Sequence, residues 1–325
     1  VGFLGKERTH LFVLDVASGA VQPLTDGPYD EIQPAWSPDG RQIAFLSKRG
    51  KDPDAHDNWD VYLVGVTPGS AVRQLTTSPG MEGDPTWNWG DGTPRFSPDG
   101  KRVTYLAGGA PEDAWYGLVQ VGEMSVGGGA QSLPRAALDG NTIEPMFSPD
   151  GRWIYFRLED NLVVQLARVR AGDTRVERLT SGDAVVTGFH VGPRNRAVVI
   201  SENTQRPSEL YALEGGKLRP LTQHNAAWLA DVDLLAARAI RFKSPDGVEV
   251  HGLLMNPGGE KPAAPMPALL RLVRQRRRQD MEAARHFLPH RAVLAGVRRG
   301  LAEVQRQTRG AGWSGAQGSR SREGR

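Results

Sequence analysis

The amino-acid sequence predicts an all-β chain, a β-propeller of four-stranded blades, on three observations. First, Ser-Pro-Asp-Gly occurs four times, and three copies share one frame, Pro34-Ala-Trp-Ser-Pro-Asp-Gly40, Pro94-Arg-Phe-Ser-Pro-Asp-Gly100 and Pro145-Met-Phe-Ser-Pro-Asp-Gly151. Their starts lie 60 and 51 residues apart, and a self-similar unit of roughly 40–50 residues marks a propeller or solenoid array. Second, each turn is followed by a short run rich in β-branched and aromatic residues. Third, a Leu-Thr pair recurs at the end of the units, at Leu24-Thr25, Leu75-Thr76, Leu179-Thr180 and Leu221-Thr222.

The chain opens inside a repeat. His10–Val16 and Ala20–Thr25 read as the last strands of a unit that begins before Val1, so the true amino terminus is expected to be missing. In the first complete unit a strand ends at Trp36, followed by Gln42–Ser47, Asp60–Val66 and the Leu75-Thr76 closing. The second unit ends its first strand at Phe96 and continues with Arg102–Ala107, Tyr116–Val121 and a Leu133-Pro134 closing. The third ends its first strand at Phe147 and continues with Trp153–Arg157, Leu162–Val169 and Leu179-Thr180. The fourth turns at a degenerate Gly192-Pro-Arg-Asn195, between Thr187–Val191 and Arg196–Ser201, with Ser208–Leu213 and Lys217–Thr222 outside. The expected array is four full blades and a half, with the total blade number open. An open array leaves strand edges unpaired, so poor solubility is expected of the chain alone.

The repeated turn residues are Ser37, Pro38, Asp39 and Gly40, then Ser97, Pro98, Asp99 and Gly100, then Ser148, Pro149, Asp150 and Gly151. Pro presets φ at about −65°, Asp caps neighbouring amides, and Gly accepts positive φ. A catalytic residue occurs once, whereas these occur once per unit, so they are expected to be structural turns.

The chain has 325 residues, no cysteine and no apolar run long enough to span a membrane. The absence of cysteine excludes disulfides, thiolate metal sites and a cysteine nucleophile. The net charge of +3 hides a split. Residues 271–325 hold 14 Arg, no Lys and 4 acids, whereas residues 1–270 hold 26 basic and 33 acidic residues. An acidic body therefore carries a basic tail.

After Thr222 the repeat stops. Residues 223–239 read as a linker. Ile240–Lys243 and Val248–Met255 then read as a hairpin turning at Pro245-Asp-Gly247, inside the fourth Ser-Pro-Asp-Gly copy. Pro- and Gly-rich residues 258–267 lead into an apolar strand start, Ala268-Leu-Leu-Arg-Leu272.

Blades with Trp/Phe-Ser-Pro-Asp-Gly, followed by this hairpin, Pro-x-Pro and Leu-Leu-Arg-Leu, resemble the prolyl oligopeptidase family of serine peptidases, in its dipeptidyl-aminopeptidase and acylaminoacyl-peptidase-like branch. The blades alone are equally similar to TolB-like propellers. The resemblance covers residues 1 to about 272 and implies an amino-terminal propeller over residues 1–222, with the opening of an α/β-hydrolase domain over residues 240–272. In that family the strand begun at Ala268 would run into His-Gly-Gly-Pro at the oxyanion hole, but here Leu272 is followed by Val273-Arg-Gln-Arg-Arg-Arg278. The nearest match to a Gly-x-Ser-x-Gly nucleophile elbow is Gly312-Trp-Ser-Gly-Ala316, which has no Asp or His after it. His286 and His290 precede it. No catalytic residue is therefore expected in this chain, and the hydrolase domain is expected to be truncated. Residues 273–325 read as a disordered or out-of-frame tail, with a basic amphipathic helix through Leu294, Val297, Leu301 and Val304 as the rival.

Two functions follow. One is the substrate-gating propeller portion of an exo- or oligopeptidase acting on short peptides. The other is a non-enzymatic TolB-like or WD-repeat-like propeller for protein binding, towards which Trp59-Asp60 is a weak pointer. The insertion Ser78–Thr93, with Trp87 and Trp89, and the connection Lys48–Trp59 read as solvated loops, with ligand contacts as the rival. Acids stand just before the first strands, at Asp30, Glu31, Glu82, Asp84 and Glu144, and read as solvated or structural residues, with a role in holding a peptide's amino terminus in a central channel as the rival. The substrate-binding residues themselves stay unassigned. The histidines lack metal-ligand spacing and no Gly-rich loop joins a strand to a helix, so no metal and no cofactor are expected. The expected partner is a peptide substrate, without nucleic acid. The expected compartment is the cytoplasm, with the periplasm open because of the amino terminus.

Overall fold

The computed structural model describes residues 7–50, 53, 58–78, 80–83, 92–109, 118–131, 138, 140–232, 234–243, 245, 247 and 249–255. The chain divides into two compact units, one running to Leu234 and the next starting at Leu235. Asp84, Trp87, Trp89, Tyr116, Leu133-Pro134, Ala268–Leu272, His286, His290, residues 273–325 and the Gly312–Ala316 near-match lie outside the described residues.

The first unit is a succession of antiparallel β-blades. A half-blade pairs β1 (Phe12–Leu14) with β2 (Val21–Pro23). Blade one runs β3 (Glu31–Trp36), β4 (Gln42–Ser47), β5 (Asp60–Gly65), β6 (Arg73–Gln74) in that order. Blade two contains β7 (Arg95–Phe96), β8 (Arg102–Ala107) and β9 (Gln120–Ser125). Blade three is β10 (Thr142–Phe147), β11 (Trp153–Asp160), β12 (Val163–Arg170) and β13 (Val176–Arg178). Blade four is β14 (Val185–Gly192), β15 (Arg196–Glu202), β16 (Glu209–Glu214) and β17 (Lys217–Pro220). A single parallel pair, Val164 with Val185, joins blades three and four into one eight-stranded sheet.

The blades pack face to face, which explains why their second strands are apolar on both sides. Ile43 and Phe45 face one core with Leu11, Leu24, Tyr62 and Val64, and the Phe45 and Tyr62 rings stack 5.9 Å apart. The alternate residues, Ala44 and Leu46, face the next core with Val61, Leu63, Val103 and Tyr105. A fully buried side chain of this size contributes about 1.5–3 kcal/mol, so these sandwiched strands anchor the array.

Each of the three Ser-Pro-Asp-Gly segments that share a frame is a closed turn. The Gly40 amide donates to the Ser37 carbonyl at 2.9 Å, and the Ser37 hydroxyl donates to Asp39 at 2.6 Å while accepting from the Gln42 amide at 2.9 Å. Gly40, Gly100 and Gly151 have φ of 68°, 69° and 67°, the left-handed region that disfavours a side chain. The degenerate turn of blade four is a single 3₁₀ turn, with Arg194 and Asn195 at φ 59° and 58°.

The Leu-Thr closings share one geometry. The Leu amide donates to a carbonyl of the third strand, and the following Thr hydroxyl accepts the amide of that same residue. Thr25 accepts from Leu11 at 2.9 Å, Thr76 from Val61 at 2.9 Å, Thr180 from Leu166 at 3.0 Å and Thr222 from Leu210 at 3.0 Å. In blade two Asn141 takes the Thr role, its Oδ1 accepting the Val119 amide at 2.9 Å.

Several strands depart from their expected bounds: β18 (Ala237–Lys243) begins inside the expected linker and not at Ile240, and β14 begins at Val185 and not at Thr187. The third strand of blade two is Gln120–Ser125, not Tyr116–Val121. The expected strand stops at Val121, but Gly122 lies mid-strand opposite Tyr105, whose ring packs on it: a Cβ there would stand 2.8 Å from Tyr105 Cε2. β11 runs on to Asp160, past the expected Arg157, because it stays paired with β12 down to Asp160 opposite Val163.

Between β17 and the second unit lies a one-turn helix, α1 (Ala226–Leu229). The second unit's described part is the hairpin of β18 (Ala237–Lys243) and β19 (Glu249–Met255), with Lys243 opposite Glu249 and Gly247 at φ 86°.

Candidate functional site

The innermost strands place the candidate residues. β3, β10 and β14 each carry a bulge, with register shifts after Ile32, Ile143 and Val186. A bulge breaks the ladder and re-aims side chains. Gln33 and Glu144 occupy equivalent places in the bulges of blades one and three, at φ 52° and 55°. Glu144 therefore sits within β10, not ahead of it as the sequence suggests.

Glu31 likewise opens β3 and does not precede it, and the predicted acids are differently disposed. Asp30 accepts from Arg8 Nη1 at 3.0 Å and from the Thr9 amide at 2.8 Å. Glu31 is 1% exposed and enclosed by His10 Nδ1 at 2.8 Å, the Thr25 hydroxyl at 3.0 Å and Arg49 Nη2 at 2.5 Å. Glu82, equally buried, accepts from the Ser78 hydroxyl, and its carboxyl is pushed up to about 8, first by burial and then by the negative charge of Asp60. Neither Glu31 nor Glu82 is open to a ligand. Glu144 is partly open and is held by Arg157, whose Nε donates to it at 2.9 Å. Arg157 is buried and also donates to the Val186 carbonyl at 3.4 Å, bridging the inner strands of blades three and four.

Beside this pair is a cavity of about 290 Å³ lined by Arg95, Glu144, Met146, Phe189, His190 and Ile200. Its residues come from three blades. His190 is exposed, and its ring makes no hydrogen bond among the described residues. The cavity thus combines donors with an apolar wall, the composition of a small-ligand site.

The turn serines offer no comparable chemistry. Ser37, Ser97 and Ser148 donate to Asp39, Asp99 and Asp150 at 2.6, 2.5 and 2.6 Å. These bonds come first among the causes that lower each Asp carboxyl below its usual range. Among the described residues no group of three or more His, Asp or Glu is placed to hold a metal ion, and no helix is long and apolar enough to cross a membrane.

Sequence reasoning picked out Glu144 but missed Arg157, Arg95 and His190. Arg157 had a signal: a charge inside Ile154-Tyr-Phe-Arg-Leu158, where every neighbour is apolar. Arg95 and His190 had none, since only the arrangement of the blades brings them near Glu144.

No family model matches the chain. Dipeptidyl-peptidase 5 of Porphyromonas gingivalis is 25% identical over 240 residues, covering 72% of this chain and 33% of that protein. An uncharacterized peptidase of Bacillus subtilis, YuxL, is 27% identical over 177 residues, covering 46% of this chain and 25% of that protein. Among solved structures, acylaminoacyl peptidase of Pyrococcus horikoshii superposes with a TM-score of 0.56 at 21% identity, covering 77% of this chain and 36% of that one. Puromycin hydrolase superposes with a TM-score of 0.54 at 17% identity, covering 78% and 38%. The chain spans a quarter to a third of the length of these curated relatives. The relatives bear out the resemblance to peptidases of the prolyl oligopeptidase type, and the superpositions bear out the fold.

Proposed function

We propose that this chain is the substrate-gating propeller portion of a serine exo- or oligopeptidase that acts on short peptides. The observation that carries this reading is the alignment of 72% of the chain with a dipeptidyl-peptidase. The chain's repeated blades and its separate β18–β19 hairpin unit agree with it. In the whole enzyme, a Ser would attack the scissile carbonyl, a His would take its proton, an Asp would orient that His, and backbone amides would hold the oxyanion. This sequence carries no match to that set, so its share of the work is selection: blades around a channel admit an unfolded, short substrate and exclude folded chains.

Titrating the 325-residue chain with a tripeptide and, separately, with a small folded protein tests the reading. Saturable binding of the tripeptide without binding of the folded protein is the expected result. Binding of the folded protein alone would instead support a non-enzymatic protein-binding propeller.

A further inference from the structure

Two fixed charges stand on the lining of the cavity, Arg95 and Glu144, and both are already engaged. Glu144 accepts from Arg157 at 2.9 Å, and Arg95 likewise has a partner. An entering carboxylate would meet the charge of Glu144, and an entering ammonium or guanidinium group that of Arg95. Either would also lose water on entry, so a charge of neither sign is favoured there.

The rest of the wall is apolar. Met146 from β10 and Phe189 from β14 pack against the buried cluster of Tyr155, Val191 and Val199, which fixes them in place. Ile200 adds to them from β15 and is 40% exposed, whereas its neighbours Val199 and Ser201 are buried. Ile200 stands opposite Gly188, and a Cβ on that glycine would lie 3.5 Å from Ile200 Cδ1. The missing side chain thus leaves space beside Ile200. An apolar group entering there removes the open surface of Ile200 from water and leaves the engaged charges as they are. The volume of about 290 Å³ lies at the bottom of the range for small-ligand sites, room for one side chain and not for a folded segment. We propose that this cavity is a selectivity pocket that takes one uncharged, apolar side chain of a short peptide, against Met146, Phe189 and Ile200. The assignment rests on the peptide-gating reading above and names the side chain that the gate prefers.

The test is calorimetric titration of the 325-residue chain with tripeptides blocked at both ends, acetyl-Ala-Leu-Ala-amide and its Asn and Asp counterparts. Leu, Asn and Asp are close in shape, and the blocked ends carry no charge. The expected result is binding of the Leu peptide at least about tenfold tighter than the Asn peptide, with the Asp peptide weakest. Ile200→Ala, at a partly exposed position, widens the cavity and should raise the affinity for the Trp counterpart relative to the Leu peptide, a ratio that a loss of folded protein would leave unmoved. Equal binding of the Leu and Asn peptides, or an unchanged Trp-to-Leu ratio in Ile200→Ala, would overturn the assignment while leaving the peptide-gating reading intact. Tightest binding of the Asp peptide would overturn it in favour of an anion site. No binding of any blocked peptide would overturn it as well, and would take the gating reading with it only if an unblocked tripeptide also failed to bind.

Discussion

The side-chain amide of Asn195 donates to Oδ2 of Asp150 across 3.0 Å, tying the degenerate turn of blade four to the Ser-Pro-Asp-Gly turn of blade three. The same end-to-end succession runs back along the array. A Cβ on Gly151 would touch Pro98 Cδ at 3.4 Å, and one on Gly100 would touch Pro38 Cδ at 3.8 Å. Arg102 Nη2 donates to the Gly151 carbonyl at 2.8 Å. The repeated tetrapeptide thus closes each inner hairpin and also sets one blade against the next.

This arrangement separates two kinds of glycine. At Gly40 and Gly151 the cost of an alanine is conformational, because φ is positive and the space is open or in ordinary contact, so each change should cost about 1–2 kcal/mol. At Gly122 an added methyl would meet the Tyr105 ring at 2.8 Å. Overpacking should make Gly122→Ala the most damaging of the three, at roughly 2–3 kcal/mol. Urea unfolding midpoints of the three variants check the order.

The Leu-Thr closings predict a graded loss. Thr180→Val keeps the shape but leaves the buried Leu166 amide without its acceptor, at a cost of about 1–3 kcal/mol. Thr222→Val removes the equivalent bond to Leu210, which is 39% exposed, so water can replace the hydroxyl and the loss should be under about 1 kcal/mol. Thermal melts of the two variants measure the difference.

Glu82 gives the array a pH dependence. Its ordinary value of 4.5 applies to the unfolded chain, and its folded value is pushed up to about 8 by burial and by Asp60. The folded state therefore holds a proton that the unfolded state releases. Glu82's contribution is intact below pH 4.5, erodes between 4.5 and about 8, and is lost above that. Glu82→Gln keeps an acceptor for Ser78 without the charge. It should flatten this slope and stabilise the chain at pH 9 by at least about 1 kcal/mol, read from denaturant unfolding at pH 5, 7 and 9.

The Arg157–Glu144 pair should show coupling. Arg157→Met strands Glu144 at the cavity rim, whereas the double variant with Glu144→Gln removes both charges together. The double variant should be more stable than the sum of the single losses by about 0.5–3 kcal/mol, measured in a double-mutant cycle.

The blades were legible because their signals are local. Ser37, Pro38, Asp39 and Gly40 report a turn from four adjacent residues, and Leu75-Thr76 reports a strand end from two. The errors came where a tertiary contact overrode a local signal. Gly122 stands just past the expected strand end at Val121, yet it lies within β9 with the Tyr105 ring against it, and in blade two Asn141 supplies the acceptor that Thr supplies in the other closings. Of the cavity, only Glu144 could be singled out in advance. Arg95, Glu144 and His190 are about fifty residues apart in sequence and share a site because consecutive blades bring the same inner-strand region to one place.

Hydrogen exchange of the 325-residue chain, with and without saturating Ala-Ala-Phe, tests most directly the claim that the inner strands receive the peptide. The account predicts slowed exchange in Thr142–Phe147 and Val185–Gly192. Protection confined to the outer strands Glu209–Glu214 and Lys217–Pro220, or no protection at saturation, would contradict it.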